Sequence, residues 1–355
     1  MVEFAGWEMP IQYSGIIEEH VHVRRQCGIF DVSHMGDLLI RGPEAAKQLD
    51  WLLTNPIGKV PVGKAVYSHL LNTDGQIIDD VINYHIAEGQ YLMVQNASNV
   101  DRVREWVKSN TTGLEVVDLS RRLACIAVQG PMAQEVLQRF CSIDLSQMRR
   151  FQGRFAFLSG RDSEFLPDLL PSNGKGVGCF IGSTGYTGEA GFEVLVEDRD
   201  APWLWNKLLS EGTGKVKPIG LGARDTLRLE MAYLLSGTDF DGRQTSLQTG
   251  PPWVIKMDHA FIGRDILIMQ KERHYVVLVG LELTGKGVPR HGYEILHKDK
   301  AVGKVTSGNM SPCLKKGIAL GYVPQKHSAV GTELSISIRG EVVPARVVET
   351  PFYRK

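Results

Sequence analysis

Apolar positions along this chain fall into short runs whose spacing switches between the helical and the extended period. Residues 16 to 27 carry apolar side chains at helical spacing and then meet Gly28, which predicts a helix closed by a glycine cap and a following strand over Ile29 to Val32. Asp37 to Ile40 reads as a strand that Gly42-Pro43 interrupts before a helix from Glu44 to Leu53. Ala65 to Leu71 and Ile77 to His85 read as two strands joined by a tight turn at Asn72 to Gly75, where Asp74-Gly75 supplies hairpin-turn chemistry. Tyr91 to Gln95 is a further strand, and the charged, periodic stretch Ser98 to Ser109 reads as an exposed helix that begins at a serine or asparagine cap.

Beyond Leu119 the pattern repeats. Cys125 to Gln129, then Gly130-Pro131, then a helix to Phe140 reproduces the earlier strand, Gly-Pro and helix order. The segments LLIRGPEAAKQL and IAVQGPMAQEVL share a helical apolar stripe after the break, which hints at an internal repeat. Asp162 to Gly178, rich in Asp, Pro, Gly and Ser, predicts a surface loop. From Tyr275 onward six short strand-like segments separated by turns predict a small all-β barrel or sandwich. Strands and helices mix without a regular βαβ rhythm, so the expected class is α+β with antiparallel sheets.

Composition narrows the picture. At 355 residues, 43% hydrophobic, the chain exceeds one ordinary core, and two or three domains are expected. Lys plus Arg equals Asp plus Glu at 40 each, so no global field favours nucleic acid or an anionic membrane. The longest apolar runs, Leu123 to Val128 and Tyr275 to Leu281, are strand-sized, far short of the ~20 residues of a helical span. Cys27, Cys125, Cys141, Cys179 and Cys313 are scattered without a C-x-x-C pair, which reads as reduced thiols in a cytosol-like compartment and no metal site. Met1 to Pro10 lacks the basic and apolar regions of a secretory signal.

Candidate chemistry concentrates in four places. Asp79 and Asp80 are adjacent near the start of a strand, where only one can face an interior cleft; composition alone favours two solvated turn acids. The segment GSTGYTGE, Gly182 to Glu189, packs glycines around Tyr186, either to let the backbone approach a ligand or merely to satisfy turn angles. In Gly220 to Glu230, Arg224 and Arg228 share a helix face, either to hold a carboxylate or as part of an internal salt-bridge lattice, the safer reading. His34 has no Ser or Cys partner in a nucleophilic set and is read as structural.

FAGWEMP (4–10), FDVSHMG (30–36), GQIIDD (75–80), QGP (129–131), TGYTGEAGFE (184–193), GLGARDTLRLE (220–230), FIGRD (261–265), GKVTSGNMSP (303–312) and ARVVETPFY (345–353) together resemble the folate-binding T-protein family of the glycine cleavage system. The segments lie in the family's order over nearly the whole chain. The resemblance implies a three-domain cloverleaf: residues 1–35 with 121–223, residues 36–120 with 224–272, and a C-terminal barrel-like domain, residues 273–355. Tetrahydrofolate would lie in the central hole.

The resemblance also implies an aminomethyltransferase. It moves a one-carbon unit from an aminomethyl group on a lipoyl carrier protein, the H-protein, to tetrahydrofolate, giving methylene-tetrahydrofolate and ammonia. Asp80 matches the family's catalytic carboxylate. Tyr67 and Asn96 occupy pterin-side positions, with Met35 beside the folate; Tyr186 would stack near the ring or the aminobenzoyl group. Glu193 suits the amino-pyrimidine edge, Arg224 the folate tail, and Tyr233 and Trp253 are wall residues. No flavin fingerprint is present, so the carrier is expected in trans. The implied location is the cytoplasm for a bacterial or archaeal source and the mitochondrial matrix for a eukaryotic one.

The sequence departs from the family in its short start before FAGW, which suggests a missing edge strand or a misassigned start, in Ser236 and Thr238, and in the segment Gly242 to Pro252. These changes flank the expected cleft. They keep two alternatives open, a folate-dependent demethylase of a small methylated compound and a non-catalytic folate-binding factor for iron–sulfur maintenance, although the latter's K-G-C-type motif is absent.

Overall fold

The computed structural model describes residues 1–166, 169 and 175–355. A six-stranded sheet runs in the order Gly153–Leu158, Val177–Gly182, Gly191–Glu197, Leu123–Gln129, Cys27–Asp31 and Val216–Pro218, antiparallel except for the last pair. An antiparallel five-stranded sheet follows the order Ala65–Leu71, Ile77–Ala87, Gln90–Gln95, Gly36–Arg41 and Glu115–Asp118. Both are apolar on both faces, which forces each to be covered twice. Cys27, Ile29, Ile126 and Val194 pack outward on helices Ala133–Gln138 and Ala201–Gly212. Leu38, Ile40, Met93 and Val81 pack outward on helices Ala45–Leu52 and Val100–Ser109. The inner faces meet in a core of Phe30, Ala127, Phe180 and Leu195 from one sheet and Leu39, Tyr84 and Leu92 from the other. The result is a four-layer stack of helices, sheet, sheet and helices.

The repeated pattern is real in three dimensions. LLIRGPEAAKQL and IAVQGPMAQEVL each form an interior strand of their own sheet, break at a glycine, and return as a helix on the sheet's outer face. Gly130 shows why the break needs glycine: its φ is +126°, and a Cβ there would lie 2.3 Å from the Gln26 carbonyl oxygen.

The tail is a closed barrel, in the order Val276–Leu283, Lys316–Pro324, Lys300–Ser311, Glu294–His297, Glu333–Ile338 and Glu341–Val348. Closure resolves the barrel-or-sandwich alternative and removes the exposed edges. Helix Leu221–Glu230 ties the units together: Ala223 and Leu227 enter the inter-sheet core, and Leu229 packs on Ile318 and Leu320 of the barrel. Val2–Phe4 pairs with Trp7–Met9 as a separate hairpin.

Three expectations change. The first helix is Ile16–Arg25, and Gly28 is no cap but an interior residue of strand Cys27–Asp31; a side chain there would strike Val23 Cγ2 at 2.5 Å and Ile219 Cγ1 at 2.6 Å. The helix expected at Ser98 is Val100–Ser109 and has no side-chain cap, because Asn99 turns its amide to the site instead. The loop expected over Asp162 to Gly178 has its centre outside the described residues. No described helix is long and apolar enough to cross a membrane.

Candidate active site between the sheets and the barrel

Asp79 and Asp80 sit on strand Ile77–Ala87, and neither is a solvated turn acid. Asp80 stands opposite His69 and two residues from Ile82, which stands opposite Tyr67, so Asp80 and Tyr67 share the inner face. The Tyr67 hydroxyl donates to Asp80 Oδ2 at 2.8 Å, and Asn96 Nδ2 donates to Asp80 Oδ1 at 2.5 Å. Asp79 is fully buried and accepts from the Asn96 backbone N–H at 2.9 Å, Asn96 Nδ2 at 2.8 Å and Asn99 Nδ2 at 2.7 Å. Asn99 also donates to Ser236 Oγ at 2.9 Å, so one of the positions that departs from the family helps hold the second acid. Burial pushes both carboxyls above the usual range. For Asp79 the neighbouring Asp80 adds to the push, while the Tyr67 and Asn96 donors pull Asp80 back down. Burial and the adjacent Asp80 raise the Tyr67 phenol well above its ordinary value, so Tyr67 remains a donor.

The opposing wall comes from the first sheet. Thr184 Oγ1 donates to Glu193 and lies 2.6 Å from the Tyr84 hydroxyl on the second sheet, bridging the two. Glu193 pairs with Ala127, which pairs with Phe30, so it points into the inter-sheet space, where burial raises its carboxyl. Tyr186 donates to the Leu234 carbonyl; Tyr233 stacks on its ring at 5.8 Å and the Arg224 guanidinium lies over it at 4.8 Å from the centroid. Tyr186 also feels Asp80, which links the two walls electrostatically. Met35 packs on the inter-sheet core, and Trp253, 50% exposed, lies 5.6 Å from the Tyr67 ring at the outside. Asp80, Tyr67 and Asn96 are thus hydrogen-bonded together, with Trp253 beside Tyr67; Tyr186, Tyr233 and Arg224 form one stack; and Glu193 and Met35 face the inter-sheet core.

The two arginines of the 220–230 helix have different work. Arg228 is the lattice: it donates to Asp225 at 2.7 Å, to buried Asp239 at 2.8 Å and to barrel Ser307 at 2.8 Å. Arg224 makes no hydrogen bond or ion pair among the described residues and is held by the Tyr186 face. Spacing cannot separate two such residues on one helix face. The glycines of 182–189 also change meaning. A Cβ at Gly182 would lie 2.3 Å from the Tyr84 hydroxyl, and one at Gly185 2.0 Å from Gln129 Oε1, so they admit the protein's own side chains rather than a ligand.

Sequence reasoning missed Asn99, Thr184, Asp239 and Asp37; the DVSHMGD stretch held the last in plain view, but nothing in the sequence marks its burial. His34 is buried as a structural residue would be, edge-on to Phe4 at 5.4 Å, and burial with nearby Arg224 holds its imidazole neutral, pulled down to about 3. Under the helix, His20, Glu230 and Cys313 bring possible ligand atoms within 4.8 Å of one another. Arg24 donates to Glu230 Oε2 at 2.8 Å, and Ser311 Oγ and the Cys313 N–H occupy Oε1, so a guanidinium already supplies the positive charge there.

A barrel is locked onto two facing sheets, with an acid pair on one wall and an aromatic and arginine wall opposite. Residues 1–259 match the family model described as the GCVT N-terminal domain, and residues 277–354 the glycine cleavage T-protein C-terminal barrel domain. The chain belongs to the glycine cleavage T-protein family. It is similar to the aminomethyltransferase of Thermotoga petrophila, 42% identical over all of this chain and 94% of that protein. It is likewise similar to the aminomethyltransferase of Symbiobacterium thermophilum, 42% identical over all of this chain and 93% of that protein. A crystal structure of glycine cleavage system aminomethyltransferase T from Bartonella henselae superposes with a TM-score of 0.88 at 30% identity, covering 99% of this chain and 93% of that one.

Proposed function

We propose that this chain is an aminomethyltransferase of glycine cleavage. It takes the one-carbon unit of an aminomethyl group borne by a lipoyl carrier protein and delivers it to tetrahydrofolate, with release of ammonia. The observation that carries the reading is Asp80, a half-buried carboxylate held by Tyr67 and Asn96 on the inner face of a chain of this family.

The residues present fit a folate. Among the described residues the Arg224 guanidinium has only the Tyr186 face and no hydrogen-bonded acceptor, Glu193 accepts only from Thr184, and Asp37 Oδ1 is buried without a partner, so the space offers carboxylate acceptors to an amino-pyrimidine edge and a guanidinium to an anionic tail. Tetrahydrofolate, when bound, supplies the nitrogen atoms that receive the carbon. Asp80 accepts a hydrogen bond from the ring and stabilises positive charge that develops on the carbon as ammonia departs. Tyr67 and Asn96 hold Asp80 in place and favour its ionised form against burial. Tyr186, Arg224 and Tyr233 position the middle and tail of the folate, and Met35 and Trp253 line its approach. The carrier brings its lipoyl arm in trans.

The direct test measures methylene-tetrahydrofolate and ammonia from aminomethyl-loaded lipoyl carrier protein, with Asp80→Ala and Asp79→Ala in parallel. Turnover lost chiefly in the Asp80 variant supports the assignment. Folate binding without turnover by the unsubstituted protein sinks it and favours a demethylase or a non-catalytic folate binder.

A further inference from the structure

Asp37 is the second residue of strand Gly36–Arg41 and lies opposite Val94, which lies opposite Ile82, which lies opposite Tyr67. Directly opposed residues share a face. Asp37 therefore looks into the same inter-sheet space as Tyr67 and Asp80, from the far end of that row. Its backbone is fully engaged: the N–H donates to Ser120 Oγ at 3.0 Å, and the carbonyl accepts from the Leu119 N–H at 2.9 Å. Its side chain is 3% exposed, and among the described residues Oδ1 is buried without a hydrogen-bond partner.

A buried carboxyl left unpartnered works against folding, and the structure offers it no compensation. The groups close enough to influence or feel it are Glu193 and Cys125 from the first sheet, Tyr84 from its own sheet and Asp118 from the edge strand. None is cationic. Arg224 acts on Glu193 and on His34 and forms no bond with either acid. Burial, with Glu193 and Asp118 nearby, pushes the Asp37 carboxyl up to about 8, so at neutral pH it is largely protonated. The unpartnered His34 Nδ1 lies near the same Arg224. A buried polar atom left unfilled in an inter-sheet space is what a polar ligand leaves behind, since its own atoms complete the pairing.

We propose that Asp37 is a second recognition carboxylate, acting beside Glu193, for the N–H donor edge of the folate ring, and that it releases a proton to solvent as that ring binds. This rests on the folate reading above. A ring carrying adjacent N–H donors rewards an ionised carboxylate. The Asp37 carboxylic acid O–H breaks, its proton leaves to buffer, and the resulting carboxylate accepts from a ring N–H. Glu193 and Asp37 together would then favour an amino-pyrimidine over a ring lacking those donors, a selectivity that unpaired buried acceptors enforce strongly.

The experiment uses the full chain and 5-formyl-tetrahydrofolate as a stable probe, titrated calorimetrically near pH 7 in buffers of differing ionisation enthalpy. The unsubstituted protein is expected to release a substantial fraction of a proton on binding. Asp37→Asn is expected to abolish the release and weaken binding about 10- to 100-fold, while its ligand-free melting temperature stays level or rises, because a buried unpaired acid has been removed. A purely structural Asp37 would show the reverse, a lower melting temperature with unchanged affinity and proton stoichiometry, and that result overturns the proposal. Failure of the unsubstituted protein to bind the probe overturns the folate reading as well; binding by both proteins with equal affinity overturns this inference alone.

Discussion

The Tyr67 hydroxyl donates to Asp80 Oδ2 at 2.8 Å across two neighbouring strands, in a site where burial drives both groups toward their neutral forms. The bond favours the ionised Asp80 and opposes its desolvation. Tyr67→Phe should therefore raise the Asp80 carboxyl further. Because the reaction needs it ionised, the acid limb of the pH–rate profile should move to higher pH, with turnover near pH 7 down roughly tenfold. An unmoved acid limb would remove Tyr67 from this role.

Asp79 and Asp80 should separate cleanly by readout. Asp80→Ala is expected to lower turnover by about 10²-fold or more with little effect on folding. Asp79 is fully buried and holds Asn96 and Asn99, so Asp79→Ala takes one acceptor from each amide and the acceptor of the Asn96 backbone N–H, and should cost about 1–3 kcal/mol in urea unfolding. Equal loss of stability in both variants would contradict this division.

Arg224 and Arg228, one helical turn apart, should behave oppositely. Arg228→Met leaves buried Asp239 without its cation and breaks the link to barrel Ser307, with an expected loss of about 3–5 kcal/mol. Arg224→Gln removes a guanidinium with no hydrogen-bonded acceptor among the described residues, its one contact being the Tyr186 ring face, so the melting temperature should hardly move while folate binding weakens. Thermal unfolding and titration of both variants check the pair.

Glu230 sets a pH window for stability. Burial works to raise its carboxyl, but bonds from His20, Ser311 and Arg24 overcome this and hold it at about 2 against an ordinary 4.5. A carboxyl depressed in the folded state adds stability above its unfolded pKa, and that stability is lost as pH falls through the folded value. The contribution, on the order of 3 kcal/mol, should therefore disappear between about pH 4.5 and pH 2. Denaturant midpoints across that range should flatten in Glu230→Gln; an unchanged slope would refute the assignment.

Local periodicity by itself determined four of the five strands of the second sheet, the two strands Cys27–Asp31 and Leu123–Gln129 of the first, the Gly-Pro breaks, the repeated strand-to-helix unit and the six-stranded tail, because alternation and helical spacing are properties of neighbours in the chain. The motif resemblance likewise placed Asp80, Tyr67, Asn96, Tyr186, Glu193 and Arg224 around one expected cleft. Only the tertiary structure decided which members of similar pairs do what. Arg224 and Arg228 have the same spacing on the same face, yet only Arg228 meets Asp239 and Ser307, which arrive from distant segments. Gly28 reads as a cap until Ile219, nearly two hundred positions away, fills the space beside it. Asp37 reads as an ordinary polar residue of a strand, and its meaning arises when the other sheet closes over it and removes the water that would have satisfied its carboxyl. Burial and partnership are set by what packs from elsewhere in the chain, and no local pattern carries that information.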